Sequence, residues 1–215
     1  MGLLFEFAKS ASVLSYCMFG RTLTAIIVYS LWLYALSTKH WLAISATICY
    51  FIWLWVDRDT CRKVGRHSKW LRQYSFYSLI GDYFPMKLHK TCDLNPDKCY
   101  IFATFPHGSA CFSSIGVYST DRTGFSSLFP GITPHHLTLD AMFWIPFIRD
   151  LCLGLGMGSV SAGSISYKLT RLGSGQGVNI AVGGVQEAKM ADPNEPYQVK
   201  VSNRKGFIKM ALRTG

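Results

Sequence analysis

Two apolar runs, Thr22–Leu36 and Trp41–Val56, are separated by only four residues, Ser37-Thr38-Lys39-His40. No other feature constrains the fold as tightly. Each run is about three-quarters of the ~20 residues that a straight helix needs to cross a bilayer. The sequence therefore predicts two helices that either cross with help from flanking residues or enter and return as a re-entrant hairpin. Crowding of Phe51, Trp53 and Trp55 at one end favours a lipid interface over a soluble core. Arg58, Arg62, Lys63, Arg66, Lys69 and Arg72 follow, against only Lys39 and His40 in the connection. By the positive-inside rule the bulk of the chain, and with an even number of passes its N-terminus, faces the cytosol.

Charge and thiols narrow the class. The net charge of +10 comes from 22 Lys and Arg against 12 Asp and Glu, and these cations concentrate just after the apolar runs. That placement favours an anionic membrane surface over a groove for nucleic acid. Seven cysteines, at 17, 49, 61, 92, 99, 111 and 152, form no C-x-x-C pair and lack zinc-site spacing. They read as free thiols on a reducing, cytosol-facing surface, with no metal centre. Residues 1–21 read as an interfacial lead-in, 22–56 as the hydrophobic membrane hairpin, 57–98 as a basic interfacial connector and 99–215 as the main domain.

Within the connector, 68–80 reads as one helix with Trp70, Tyr74 and Tyr77 along one side, lying in headgroups or packed. Beyond it, short strands alternate with helices. Cys99–Phe102 reads as a strand, Ser109–Tyr118 as a helix, His135–Leu139 as a strand and Met142–Leu153 as a helix kinked at Pro146. Gly158–Ala162 reads as a strand, Ser164–Leu172 as a helix and Val178–Val182 as a buried strand. That order predicts an α/β domain with functional loops at one sheet edge. Met142–Ile148 is either core or a second place where the domain meets lipid; the reading leans to lipid, since an enzyme acting on a water-insoluble substrate would need an apolar way in. No Gly-x-Ser-x-Gly elbow is present, which argues against a serine hydrolase. The run Gly154–Gly158 lacks dinucleotide-fingerprint spacing and reads as a flexible connection.

At the end of the first strand Pro106 and Gly108 supply a stop and a turn, so His107 is delivered to a strand tip. Backbone N–H groups near Gly108 and Ser109 are placed to share its space. A base for a hydroxyl proton beside donors for an oxyanion suits acyl transfer; the bland alternative is a histidine that hydrogen-bonds at a turn.

Four stretches then fall in order behind the apolar pair: Tyr83-Phe84-Pro85, Phe105-Pro106-His107-Gly108, Gly183-Gly184-Val185-Gln186-Glu187, and Arg204-Lys205-Gly206-Phe207 continuing to Ala211. Phe129-Pro130-Gly131-Ile132 lies between the second and third. From about Trp41 onward this set resembles the type 2 diacylglycerol acyltransferase family, which includes monoacylglycerol and wax-alcohol acyltransferases. The resemblance implies a membrane-anchored, glycerolipid-acyltransferase-like α/β sheet with flanking helices. It implies an acyl-CoA-dependent O-acyltransferase of the endoplasmic reticulum, with access to lipid droplets, whose catalytic domain is cytosolic. Diacylglycerol is the expected acceptor, with monoacylglycerol or a long-chain alcohol as alternatives and a non-catalytic hairpin protein of lipid stores as the competing class. No cofactor is implied; acyl-CoA is the co-substrate, the bilayer is a partner and homo-oligomers are compatible.

The family's His-Pro-His-Gly motif falls on 105–108, which makes His107 the implied catalytic histidine and puts Phe105 where the first histidine stands. Tyr83, Phe84 and Pro85 are implied to position substrate or the histidine loop. Glu187 is implied to orient the imidazole or bind the acceptor hydroxyl; read without the family it is a surface glutamate leading into the loop Ala191-Asp192-Pro193-Asn194. Gly183 and Gly184 admit close backbone approach to a ligand. Arg204 and Lys205, with Lys209, are candidates for the phosphates of coenzyme A, and Gly206 and Phe207 complete that motif. A basic residue expected by the small strand at 158–162 is replaced by Ala162. The family pattern continues past Gly215, so the α/β domain is expected to be incomplete at its C-terminal end.

Overall fold

The computed structural model describes residues 21–108, 111–190 and 198–215. The lead-in up to Gly20, Ser109 and the Ala191-Asp192-Pro193-Asn194 loop lie outside them. The chain forms two compact units, one reaching to Arg58 with Asp82–Pro85, the other Asp59–Gly81 with Met86–Gly215.

In the first unit, helix α1 (Arg21–Ser37) and helix α2 (Trp41–Val56) cover the two apolar runs. Their separation has a local cause. The Ser37 and Thr38 hydroxyls donate to the carbonyls of Tyr34 and Ala35, each at 2.7 Å, and Lys39 turns left-handed at φ 53°. Side-chain hydroxyls thus add bonds to carbonyls of the last turn, that of Tyr34 also accepting the Thr38 N–H at 3.2 Å. Trp32 Nε1 donates to Thr47 Oγ1 at 3.0 Å, and the Trp32 and Phe51 rings lie 5.9 Å apart, so the helices touch through a few large side chains. No residue of α2 is buried. Over the described residues the helices have 17 and 16 residues, short of a straight span, and no helix among these residues is long and apolar enough to cross a membrane.

The second unit is α/β. The single helix expected over 68–80 is instead two, α3 (Lys69–Arg72) and α4 (Phe76–Tyr83). The break frees Arg72 to turn inward, where it donates to the carbonyls of Tyr118 and Leu155 and pairs with Asp121, each at 3.1 Å. Trp70 and Tyr74 stay largely exposed, while Tyr77 packs on the core.

Strand β1 (Tyr100–Thr104) leads, through a short helix α5 (Phe112–Ser114), a widened turn at Ile115–Ser119 and helix α6 (Phe125–Leu128), to β2 (Thr133–Thr138). The helix expected over Ser109–Tyr118 is therefore shorter and irregular. Asp140–Trp144 is a 3₁₀ turn and α7 (Ile148–Gly154) follows, so the expected kinked helix is two pieces. Pro146 cannot continue a helical hydrogen-bond ladder, and Phe147 adopts φ 63°. β3 (Gly158–Ser159) is only two residues, shorter than expected. Helix α8 (Ala162–Arg171), β4 (Gln176–Ala181), α9 (Gly184–Lys189) and α10 (Gly206–Thr214) complete the unit.

All pairings are parallel, in the order β1-β4-β2-β3. The last strand in sequence is thereby central, with Asn179 opposite both Phe102 and His136. Side chains alternate across a strand. Val178 and Leu137 pack on one face against Ile165 and Leu169 of α8 and Met210 of α10. On the other face Phe102 stacks on Tyr118 at 5.4 Å and meets Phe125 edge-on at 5.9 Å. A second cluster of Cys61, Phe143, Cys152, Leu153, Leu155 and Met157 joins the connector to the 3₁₀ turn and α7. Leu155 and Met157 are buried, and Leu155 bridges His67, so Gly154–Gly158 is a fixed part of the core and not a flexible connection.

Candidate functional site

Parallel α/β sheets present their ligand sites beyond the carboxyl ends of the strands. Here the ends of β1 and its neighbour β4 place His107 and the Gly183-Gly184 turn side by side. The backbone N–H of His107 donates to Glu187 Oε2 at 2.6 Å, and the N–H of Lys200 donates to Oε1 at 3.1 Å. Glu187 is 2% exposed, so the surface glutamate read from sequence is buried on the inward side of α9. Its carboxylate grips the main chain of the histidine loop; the imidazole is not among its hydrogen-bond partners. Gly183 is what admits it, since a β-carbon there would collide with the Glu187 carboxylate.

The imidazole takes its orientation from its own turn. Nδ1 lies 2.6 Å from the Gly108 carbonyl oxygen, which can only accept. Nδ1 therefore carries the proton, and Nε2 of the neutral ring keeps a lone pair. Gly108 enables this turn at φ 62°, and Phe105-Pro106 is cis. His107 is half-buried, while Phe105 is 41% exposed and Pro106 is exposed. Of the oxyanion donors expected near Gly108 and Ser109, the second lies outside the described residues.

Arg204 is also brought here: Nη2 donates to Gly183 O at 3.3 Å and to Gln186 Oε1 at 3.0 Å. It ties the start of α10 to the glycine turn. Lys205 and Lys209 are exposed, Gly206 opens α10 and Phe207 is half-buried. Tyr83, Phe84 and Pro85 fall in the first unit, where the Tyr83 and Phe84 rings meet edge-on at 4.8 Å.

Sequence reasoning missed the polar row beneath the histidine loop. His136 Nδ1 lies 2.7 Å from Asn179 Oδ1, while Asn179 Nδ2 donates to Phe102 O at 3.2 Å and to Thr104 Oγ1. Because the Phe102 carbonyl must accept, the amide orientation is fixed, and His136 must donate from Nδ1. Burial lowers the pKa of His136, against the Asn179 hydrogen bond, and the His107 charge adds to the lowering. An asparagine inside the buried run Val178-Asn179-Ile180 was the available signal, since a buried amide demands partners.

Two further histidines and a lysine escaped notice. His135 Nε2 lies 2.8 Å from Gln176 Oε1, its Nδ1 lies 3.3 Å from His67 Nε2, and burial pushes its pKa down to about 4. Lys168 is fully buried against Gly158 and donates to the Lys63 carbonyl; desolvation lowers its pKa to about 8. A cation thus does reach the small strand that lacks one at Ala162. Cys49, Cys61, Cys92, Cys99, Cys111 and Cys152 are free thiols, and the described residues hold no metal-binding cluster.

A histidine turn gripped by a glutamate from the neighbouring strand's glycine turn is the candidate site, and comparison with known proteins supplies the family. The chain belongs to the diacylglycerol acyltransferase family, whose model matches residues 33–215. Among its relatives, acyl-CoA wax alcohol acyltransferase 2 of Mus musculus is 37% identical over 99% of this chain and 60% of its own length. Diacylglycerol O-acyltransferase 2-like protein 6 of Bos taurus is 38% identical over 98% of this chain and 61% of its own, and 2-acylglycerol O-acyltransferase 3 of Homo sapiens is 39% identical over 79% and 49%. The chain thus spans about three-fifths of the length of the first two relatives. No solved structure matches it.

Proposed function

We propose that this chain is an acyl-CoA-dependent O-acyltransferase with a histidine general base, with diacylglycerol as acceptor and triacylglycerol as product. The observation that carries the reading is the fixed tautomer of His107, which leaves Nε2 as a base on a loop whose main chain is anchored. Nε2 accepts the proton of the lipid hydroxyl as that oxygen attacks the thioester carbonyl. The tetrahedral oxyanion is met by backbone N–H groups of the Gly108 turn. Collapse breaks the carbon–sulfur bond, and the coenzyme A thiolate takes the proton back from the imidazolium, releasing ester and thiol. Glu187 acts as a positioning residue through the loop, and Arg204, Lys205 and Lys209 offer charge to the phosphates of coenzyme A. The reaction needs no metal or other cofactor, because the thioester is already activated.

The names of the relatives include wax-alcohol and 2-acylglycerol acyltransferases, so a long-chain alcohol or monoacylglycerol is the alternative acceptor. The setting proposed is the endoplasmic-reticulum membrane and lipid droplets, with the apolar helix pair in the bilayer and the α/β unit cytosolic. Microsomes expressing the chain, given labelled acyl-CoA and each acceptor in turn, test this. Ester formation that vanishes in His107→Ala supports it; turnover that survives that substitution refutes the base.

A further inference from the structure

The segment that reads as core or lipid contact, Met142–Ile148, is buried at some positions and exposed at others. Phe143 is buried, and Met142 and Ile148 pack on the same cluster. Around them Leu139, Trp144, Ile145, Phe147 and Leu151 are exposed, Trp144 by 69%. Local geometry gathers these side chains. The Leu151 N–H donates to the Phe147 carbonyl at 3.0 Å, so the two lie one turn apart on the same side of α7. The Arg149 N–H donates to the Ile145 carbonyl at 3.0 Å, folding Ile145 back beside that turn. Phe147 holds φ 63°, a backbone conformation unusual for an aromatic residue, at a position where burial does not offset it.

Cations rim this face. Arg62 meets Asp140 at 3.2 Å at one end and Arg66 meets Asp150 at 3.6 Å at the other. Lys63 and Lys69, on the same stretch, are exposed. We propose that this face of the α/β unit docks on an anionic phospholipid surface, with Trp144 and Phe147 entering the interface and Arg62, Lys63, Arg66 and Lys69 facing the headgroups. Tryptophan prefers the headgroup level, and basic residues are drawn to acidic lipid. Charge selects the occupant: Arg62, Lys63, Arg66 and Lys69 outweigh Asp140 and Asp150, so a second copy would set two net-positive rims together, whereas acidic lipid complements one. The docking rests on the proposed function for its purpose, holding the domain against the layer that supplies an insoluble acceptor.

The test reads location and not turnover, so the two ideas fail separately. The full chain carries a benzophenone amino acid at Trp144 or Phe147, in vesicles of phosphatidylcholine with about one-third phosphatidylserine. Ser174, exposed in the loop before β4 at the opposite end of the sheet, is the negative position; Ile52 in α2 reports the helix pair. Phospholipid adducts at 144 and 147, about tenfold above 174 and reduced without phosphatidylserine, are expected. Adducts at 52 with none at 144 or 147 overturn the docking, as do adducts to a second protein chain. Trp144→Glu with Phe147→Glu is expected to lower adducts at Leu151 about tenfold with thermal unfolding unchanged, since both residues are exposed. Undiminished adducts at 151 overturn it too. Ester formation absent while the adducts persist removes the enzyme reading and leaves the docking.

Discussion

Replacing Glu187 by glutamine changes neither size nor shape, yet it removes one of two acceptors. Both carboxylate oxygens are used, one by the His107 N–H at 2.6 Å and one by the Lys200 N–H at 3.1 Å. An amide has a single oxygen, so its NH₂ must face a backbone donor. A buried hydrogen bond to a charged acceptor is worth about 1.5–3 kcal/mol, and the unpaired N–H left behind costs about 1–3 kcal/mol. If about 2 kcal/mol of this falls on the histidine loop, its closed population drops about thirtyfold relative to the open one. Hydrogen exchange at the His107 amide is the direct assay, and it should accelerate by about that factor while the amides of β2 do not change. The proposed ester formation should lose kcat with little change in KM, because the anchor sets where the base sits and touches no substrate. Exchange at His107 that stays at the native rate would refute the anchor. A collapse of kcat with native exchange would make Glu187 a chemical participant.

The remaining expectations concern the same framework. Gly183→Ala puts a methyl group into the Glu187 carboxylate at an ordinary φ of −65°, so it should reproduce the exchange signature of the glutamine variant through sterics alone. Asn179→Leu removes the amide from the Phe102 carbonyl and Thr104 and leaves the buried His136 donor without its acceptor, and a loss of about 2–4 kcal/mol is expected in denaturant unfolding. For His135 the folded pKa, about 4, lies below the ordinary value near 6.5, so the unfolded chain takes up the proton first as pH falls. Stability is full above about pH 6.5 and declines by up to ~1.4 kcal/mol per pH unit toward pH 4, a slope that His135→Gln should flatten. His67, 3.3 Å from His135, is pushed down in the same direction, so part of the slope remains in His135→Gln. Lys168 is charged below about pH 8 and buried, so Lys168→Met should unfold no more easily than the native chain at pH 7 and lose any advantage as pH rises toward 10.5.

What could be read from the sequence was what local chemistry decides. The strand before His107, the stop at Pro106, the glycine turn after β4 and the two apolar helices all follow from runs of apolar residues bounded by Gly, Pro or polar pairs. The broken helix at 68–80 did not, because its cause is remote: Arg72 turns in to meet Asp121 and two carbonyls, and no property of 68–80 announces them. The burial of Glu187 was hidden for the same reason. Its exposed neighbours Val185, Gln186, Lys189 and Met190 make the stretch look like surface, and its partners, the main chains of His107 80 residues upstream and Lys200 13 residues downstream, explain it. His136 and Asn179 were invisible as a pair because parallel pairing sets their register across 43 residues.

Strand order turns these distances into one mechanism. β4 is the last strand among the described residues and sits between β1 and β2, so the histidine loop formed by β1 gains its anchor only when the glycine turn after β4 is in place. Arg204 then ties the start of α10 to that turn, which makes the histidine loop, glycine turn and basic motif a single hydrogen-bonded chain. Groups that act as one unit are non-additive. His107→Ala removes the proposed base, and after it Glu187→Gln has nothing left to position, so the double variant should be no slower than His107→Ala alone. Arg204→Met behaves differently: it loosens the glycine turn from the far side, and its effect should vanish in Glu187→Gln, where the turn no longer holds the loop. Full additivity of Arg204→Met with Glu187→Gln in ester formation would mean that the arginine works on substrate, at its phosphates, and not through the turn.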